Sequence, residues 1–149
     1  MHACAATGAG FLVAVLWFDL MFDVQTRGHT GEVLPRDVLA SICAYYRRVT
    51  TDATPMNRLI SLAMIATLLA IVVEVASGAT PLWSWMSLAV AASAIGLAAA
   101  RTVRNAVRLG SASDPPAVQS QLARVIYRDH LYCVAAMTSL AVIQLVAPL

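Results

Sequence analysis

Asp19 and Asp23 stand four residues apart in a stretch that is otherwise apolar from Phe11 to Val24. Residues at that spacing share one face of a helix. A charged carboxylate in hydrocarbon costs roughly 3 kcal/mol or more, so such a pair must face other protein, meet a cation or take up a proton. Arg124, Arg128, Asp129 and His130 open the last apolar stretch at the same expected level, with Arg101 and Arg104 within reach. Asp19, Asp23, Arg128, Asp129 and His130 therefore form a candidate intramembrane polar cluster. It has two readings. One is a set of ion pairs that holds helix register; the other is a proton or ion relay, or a site for a polar headgroup or substrate. Paired charges near a helix end require no function, so the structural reading comes first.

His130 is the sharpest single residue, because a neutral imidazole can shuttle protons or ligate a metal or haem iron. His130, Met137 and Gln144 recur every seven residues with Cys133 near the same face, which draws a mildly polar seam along one helix. The expectation is a bundle-facing histidine bonded to Asp19 or Asp23. Haem held by two histidines is not expected, since His2 and His29 read as lying outside the spans, and no ligand spacing marks a metal site. No cofactor is expected. A second polar pair, Glu74 and Gln144, falls near the opposite end; Glu74 is expected to reach water, with a bond to Gln144 as the alternative. Trp17, Phe18, Met21 and Phe22 surround the two aspartates and read as packing or lipid contact, with a quinone or lipid-tail pocket as the weaker reading. Cys4, Cys43 and Cys133 have no paired spacing and read as buried or lipid-facing thiols.

These residues are carried by apolar stretches at about 5–24, 57–76, 81–102 and 129–147. Each approaches the about 20 residues a helix needs to cross a bilayer, and only helices satisfy their own backbone in single spans of this length. Thr54-Pro55, Thr80-Pro81 and Asp114-Pro115 pair a capping residue with a proline suited to the first helical turn. Gly110 reads as the residue that stops the third helix. The third helix then runs from Pro81 to about Leu109 and the fourth from Pro115 to near Pro148, and their excess projects from one side as a helical hairpin. The first loop holds a further helix at about 35–49, with Val38, Ile42, Tyr45 and Val49 on one face. It can lie in the membrane interface or pack on the hairpin stripe of Val118, Leu122, Val125 and Ile126. Gly28, Thr30 and Gly31 before it read as a flexible turn. Ser77-Gly78-Ala79-Thr80 is short enough to force antiparallel neighbours, and Trp83 and Trp85 beside it suit a headgroup belt. Ala92, Gly96 and Ala100, and Ala6 with Gly10, are small-residue series suited to close helix contact. The fold expected is all-α: one domain over 1–149, four transmembrane helices in an antiparallel bundle, and a cytoplasmic amphipathic helix in the first loop.

Composition agrees. The chain of 149 residues is 60% hydrophobic and 12% charged, against roughly 25% charged in soluble domains. A net charge of +2 is too small to suggest a nucleic-acid partner. The apolar start lacks a basic n-region and carries two aspartates, so it reads as a retained helix and not a cleaved signal. All ten basic residues are arginine. Arg27, Arg36, Arg47, Arg48 and Arg58 belong to the first loop and its edges, Arg101, Arg104, Arg108, Arg124 and Arg128 to the third. The positive-inside rule then puts both loops in the cytoplasm and both termini outside, in a bacterial-type inner membrane.

No phosphate-binding, metalloprotease or nucleophile-elbow motif occurs, and no inverted repeat of the transporter kind. Three functions stay open: a non-enzymatic subunit, scaffold or assembly component, which size and motif absence favour; a small proton- or ion-coupled carrier using the Asp/Arg/His cluster; and a membrane enzyme acting on a lipid, quinone or other apolar substrate. The partners expected are the bilayer and a second membrane chain or another copy.

Overall fold

A computed structural model describes residues 2–78 and 80–147, Thr54 by its backbone alone. The expected helix end at Pro148, the loop residue Ala79 and the Thr54 side-chain cap lie outside the described residues. Helix α1 runs His2–Asp23, α2 Arg36–Arg47, α3 Thr54–Ser77, α4 Pro81–Leu97, α5 Val103–Ser111 and α6 Pro116–Val146. A π turn at Ala98–Thr102 joins α4 to α5, so the two make one span, Pro81–Ser111. With His2–Thr26, Pro55–Ser77 and Pro116–Val146 this gives four helices long and apolar enough to cross a membrane. Their outer faces carry Trp17, Leu62, Leu69, Leu82 and Leu145 largely exposed, as a lipid-facing surface requires. The chain has the make-up of a multi-pass membrane protein.

A seven-residue repeat builds the bundle. Along α1 the inward positions are Ala5, Ala9, Leu12, Leu16, Asp19 and Asp23; along α6 they are Gln119, Ala123, Ile126, His130, Cys133, Met137, Leu140 and Gln144. Alternating steps of four and three residues keep one stripe facing a partner helix. The α6 seam thus faces the bundle as its spacing suggested. Neighbours α1–α3, α3–α4, α4–α6 and α6–α1 pack in antiparallel pairs.

The small residues that matter are not the expected series. Ala92, Gly96 and Ala100 are exposed, and Gly10 has open space where a Cβ would be. The inward face of α4 is Ser84, Ser87, Ala91 and Ala94. On α1 the close approach is at Gly8, where a Cβ would run into the Thr67 side chain. Both expected series obey a four-residue period, but on a stripe the inward face does not follow.

At the arginine-bearing end α5 and the first half of α6 project as a hairpin, and α2 lies across it rather than alone in the interface. Leu34, Leu39, Ile42 and Tyr46 bury against Ala106, Leu109, Leu122 and Ile126. The centre of the α2 face is therefore one residue beyond the expected stripe; Val38, Tyr45 and Val49 are its flanks. Gly110 is no stop signal. Helix α5 continues through it to Ser111, and Ala112 takes the left-handed turn at φ 51°. A Cβ at Gly110 would lie 2.7 Å from the Arg47 backbone nitrogen, so the glycine is where α2 crosses. The prolines start helices as expected, yet no side-chain cap forms at Thr80 or ahead of α6; Asp114 instead takes Arg108, 2.7 and 2.8 Å from its oxygens. Nor is the first loop loose. Arg124 donates to the carbonyls of His29, Gly31 and Glu32, and the Leu34 amide donates to Ser120 Oγ at 2.9 Å.

Candidate functional site

The last two inward positions of α1 are acidic, and they meet His130 of α6 where α2 closes the bundle. Asp23 is wholly buried. Its carboxylate accepts the Tyr46 hydroxyl at 2.6 Å and lies 2.7 Å from His130 Nδ1. Tyr46 Oη also stands 3.5 Å from Nδ1. With Asp23 accepting from both, Nδ1 carries a hydrogen and His130 Nε2 faces Asp19, whose Oδ2 is 3.8 Å away. The other oxygen of Asp19 accepts the Tyr45 hydroxyl at 2.6 Å. Tyr45 is held in place by stacking on Phe22, ring centroids 3.9 Å apart. An expected packing aromatic is thus a support of the cluster.

Burial, and then the neighbouring carboxylates, hold both phenols well above the ordinary tyrosine range. At neutral pH they are donors only toward Asp19 and Asp23. Neither was a candidate from the sequence. Tyr45 read as one residue of an apolar stripe, and the signal that could have found it is the adjacent Tyr45-Tyr46 pair: a buried phenol needs a partner for its O–H.

The expected five-residue cluster divides in two. Asp19, Asp23 and His130 come together. Asp129 does not join them: it is buried on a different face of α6, where it takes the Arg101 guanidinium and the Thr102 hydroxyl, the latter at 3.0 Å. Arg128 is exposed and Arg124 is spent on the loop carbonyls. The reason is elementary: consecutive helical residues point about 100° apart, so Arg128, Asp129 and His130 cannot share a face. The π turn sets the Asp129 contact. A regular seven-residue step from Ala94 would bury residue 101; the extra residue buries Thr102 instead and leaves the Arg101 side chain 54% exposed at the edge.

At the opposite end Glu74 is only 4% exposed, which corrects the expectation that it reaches water. Gln144 donates to Glu74 at 3.0 Å and lies 2.9 Å from Ser87 Oγ, while its carbonyl oxygen is 2.8 Å from His2 Nδ1. His2 therefore belongs to the first span rather than lying outside it. It sits at the end of α1 remote from His130, so the two histidines still do not converge.

Between these ends, beside Asp19 and His130, lies a pocket of about 500 Å³, within the range of small-molecule sites. Its walls are apolar: Phe11 and Val15 from α1, Ile60 and Met64 from α3, Ile95 from α4 and Met137 from α6. It borders the first half of α3, where Ile60 and Met64 are only partly buried and no side chain before Thr67 is fully buried among the described residues. Exposed Phe18 and Met56 at the rim bring the pocket to the outer, lipid-side surface. Asp19, His130, Tyr45 and Tyr46 form its principal polar end, and no arginine lines it.

Comparison with protein-family models, with curated proteins and with solved structures found no match to this chain.

Proposed function

We propose that this protein binds an apolar molecule with a polar head, taken from the bilayer, with the tail among Phe11, Ile60 and Met64 and the head at Asp19 and His130. One observation carries the reading: a pocket of about 500 Å³ whose polar end is a histidine oriented by a buried aspartate. A bundle serving only as scaffold has no need of such a space; its ion pairs would close on one another. Here Asp19 and His130 stop 3.8 Å apart, beyond direct hydrogen-bond reach. The Asp23–His130 pair resembles the arrangement in which a carboxylate fixes an imidazole tautomer and leaves the far nitrogen to exchange a proton. Binding coupled to proton movement is the chemistry this supports, and it joins the carrier and the apolar-substrate readings in one site.

The orientation belongs to the same proposal. Ten arginines at one end and none at the other support a cytoplasmic cluster, with the pocket opening in the inner leaflet and both termini outside.

The test is photolabelling in lipid nanodiscs with a twelve-carbon alcohol carrying a diazirine on its chain. Labels are expected on α1 and α3 at Phe11, Ile60 and Met64, and Ile60→Trp should fill the space and remove them. Leu62→Trp, on the exposed face, should leave them. Labelling confined to Leu62, Leu69 and other outward residues, indifferent to Ile60→Trp, would overturn the reading.

A further inference from the structure

Resting on the pocket reading, we infer that the head of the bound molecule is an uncharged hydroxyl that bridges His130 Nε2 and Asp19 Oδ2.

Most of the hydrogen-bonding capacity at the polar end is already taken. Asp23 has both oxygens engaged, one by Tyr46 and one by His130 Nδ1. Asp19 has one engaged, Oδ1 by Tyr45. Oδ2 remains, an acceptor facing the imidazole, with the Asp19 side chain 16% exposed and that of His130 9%. The ring nitrogen opposite it is Nε2, at 3.8 Å. An oxygen about 2.8 Å from each of two atoms so separated sits beside the line that joins them, with an angle of about 85° at the oxygen, and can bond both. With His130 protonated, that oxygen accepts from Nε2–H and donates its hydrogen to Asp19. With His130 neutral, the same oxygen donates to Nε2 or to Oδ2. A hydroxyl is both donor and acceptor on one atom. An ammonium cannot accept from Nε2–H, and a carboxylate or a phosphodiester cannot donate to Asp19.

Charge argues against an anionic head. The groups facing the gap are Asp19 from α1, His130 from α6 and the two neutral phenols from α2, with Asp23 buried behind the imidazole. Their one basic group, His130, is already engaged by Asp23 through Nδ1. No arginine enters the lining, although ten stand at this end of the chain. Arg101 is held by Asp129, and Arg124 by the loop carbonyls. An anionic head would thus lose its water in an apolar-walled pocket with no arginine to receive it, which disfavours it. The excluded class includes fatty acids and phospholipid phosphates. The included class is long-chain or polycyclic alcohols and phenols.

Three probes with one diazirine-bearing twelve-carbon chain and different heads decide the matter: alcohol, carboxylate and amine, each in nanodiscs at pH 7 and equal mole fraction. Pocket labelling by the alcohol is expected to exceed that by the carboxylate and by the amine by about ten-fold, the worth of one well-made bond against one left unmade. Asp19→Leu should erase the preference while the alkyl chain still labels Ile60. Equal labelling by the carboxylate, or stronger labelling by the amine, overturns the hydroxyl inference and leaves the pocket reading standing. Failure of all three to label Phe11, Ile60 and Met64 removes both. Because the three heads are compared on the wild-type chain, the result does not depend on whether Asp19→Leu folds.

Discussion

The two nitrogens of His130 have different roles. Nδ1 is tied to a carboxylate that water does not reach, and Nε2 faces a gap. Everything that orients the ring comes from outside α6: Asp23 from α1 and, through Asp23, Tyr46 from α2. Removing the Tyr46 hydroxyl leaves a buried carboxylate oxygen short of a donor, so Tyr46→Phe is expected to cost about 1–3 kcal/mol in denaturant titrations of the solubilised protein. Tyr46 also sets a pH dependence. Its folded pKa is raised above the ordinary value by burial and by the nearby carboxylates. Below about pH 10 the phenol is protonated folded and unfolded, and its contribution is complete. Above that the unfolded chain releases the proton while the folded one keeps it, so stability falls by up to about 1.4 kcal/mol per pH unit. Unfolding measured from pH 9 to 11 should show a shallower decline in Tyr46→Phe than in the wild type. Parallel declines in the two proteins would contradict the buried, carboxylate-bound phenol.

At the scale of elements, the site exists because α2 reaches the bundle mouth, and α2 reaches it because residue 110 is glycine. A methyl group there would meet the Arg47 nitrogen at 2.7 Å and the Tyr46 carbonyl carbon at 2.9 Å. Backbone cannot step aside as a side-chain end can. Gly110→Ala should therefore lose about 1–3 kcal/mol and lift both tyrosines from their aspartates. Two positions on, the sign reverses: Ala112 sits at φ 51°, a conformation that costs a residue with a Cβ roughly 1 kcal/mol and glycine almost nothing. Ala112→Gly should raise the unfolding midpoint. The reverse pair of effects, Gly110→Ala stabilising and Ala112→Gly destabilising, would show that local helix propensity, and not the crossing of α2, decides the region. From the sequence Gly110 is legible as a special position, but its purpose is not. A stop glycine and a contact glycine look alike until the second helix is in place.

At the scale of the molecule, two polar clusters close the ends of an otherwise apolar bundle, Asp19–Asp23–His130 with α2 at one end and His2–Glu74–Ser87–Gln144 at the other. Each brings a carboxylate from one helix to donors on another. A one-residue slip of any helix would strand at least one of them, so the clusters hold register where apolar packing alone tolerates sliding. The arginine asymmetry makes the corresponding prediction for the whole chain. A periplasmic-type reporter fused to the C-terminus should be active, and a tag inserted at exposed Gly28 should be shielded from reagents outside intact cells. The opposite pair of results would invert the proposed orientation and move the pocket mouth to the outer leaflet.

The sequence by itself determined the number of spans, their approximate ends, the projecting hairpin, the amphipathic helix and the inward face of α6. Each of these follows from short-range regularities: apolar length, proline position and a seven-residue period. It also determined that Asp19, Asp23 and His130 needed buried partners, because desolvating a charge is costly wherever it occurs. Only the tertiary structure decided which partners they have. Helix geometry sends Asp129 and Arg128 away from His130 although they are adjacent in the chain, and one extra residue in the turn at Ala98–Thr102 hands Asp129 to Thr102. The pocket was beyond reach for a further reason. It lies beside the half of α3 before Thr67, which carries no buried side chain among the described residues, and a space between helices is a property of their relative placement that no single helix encodes.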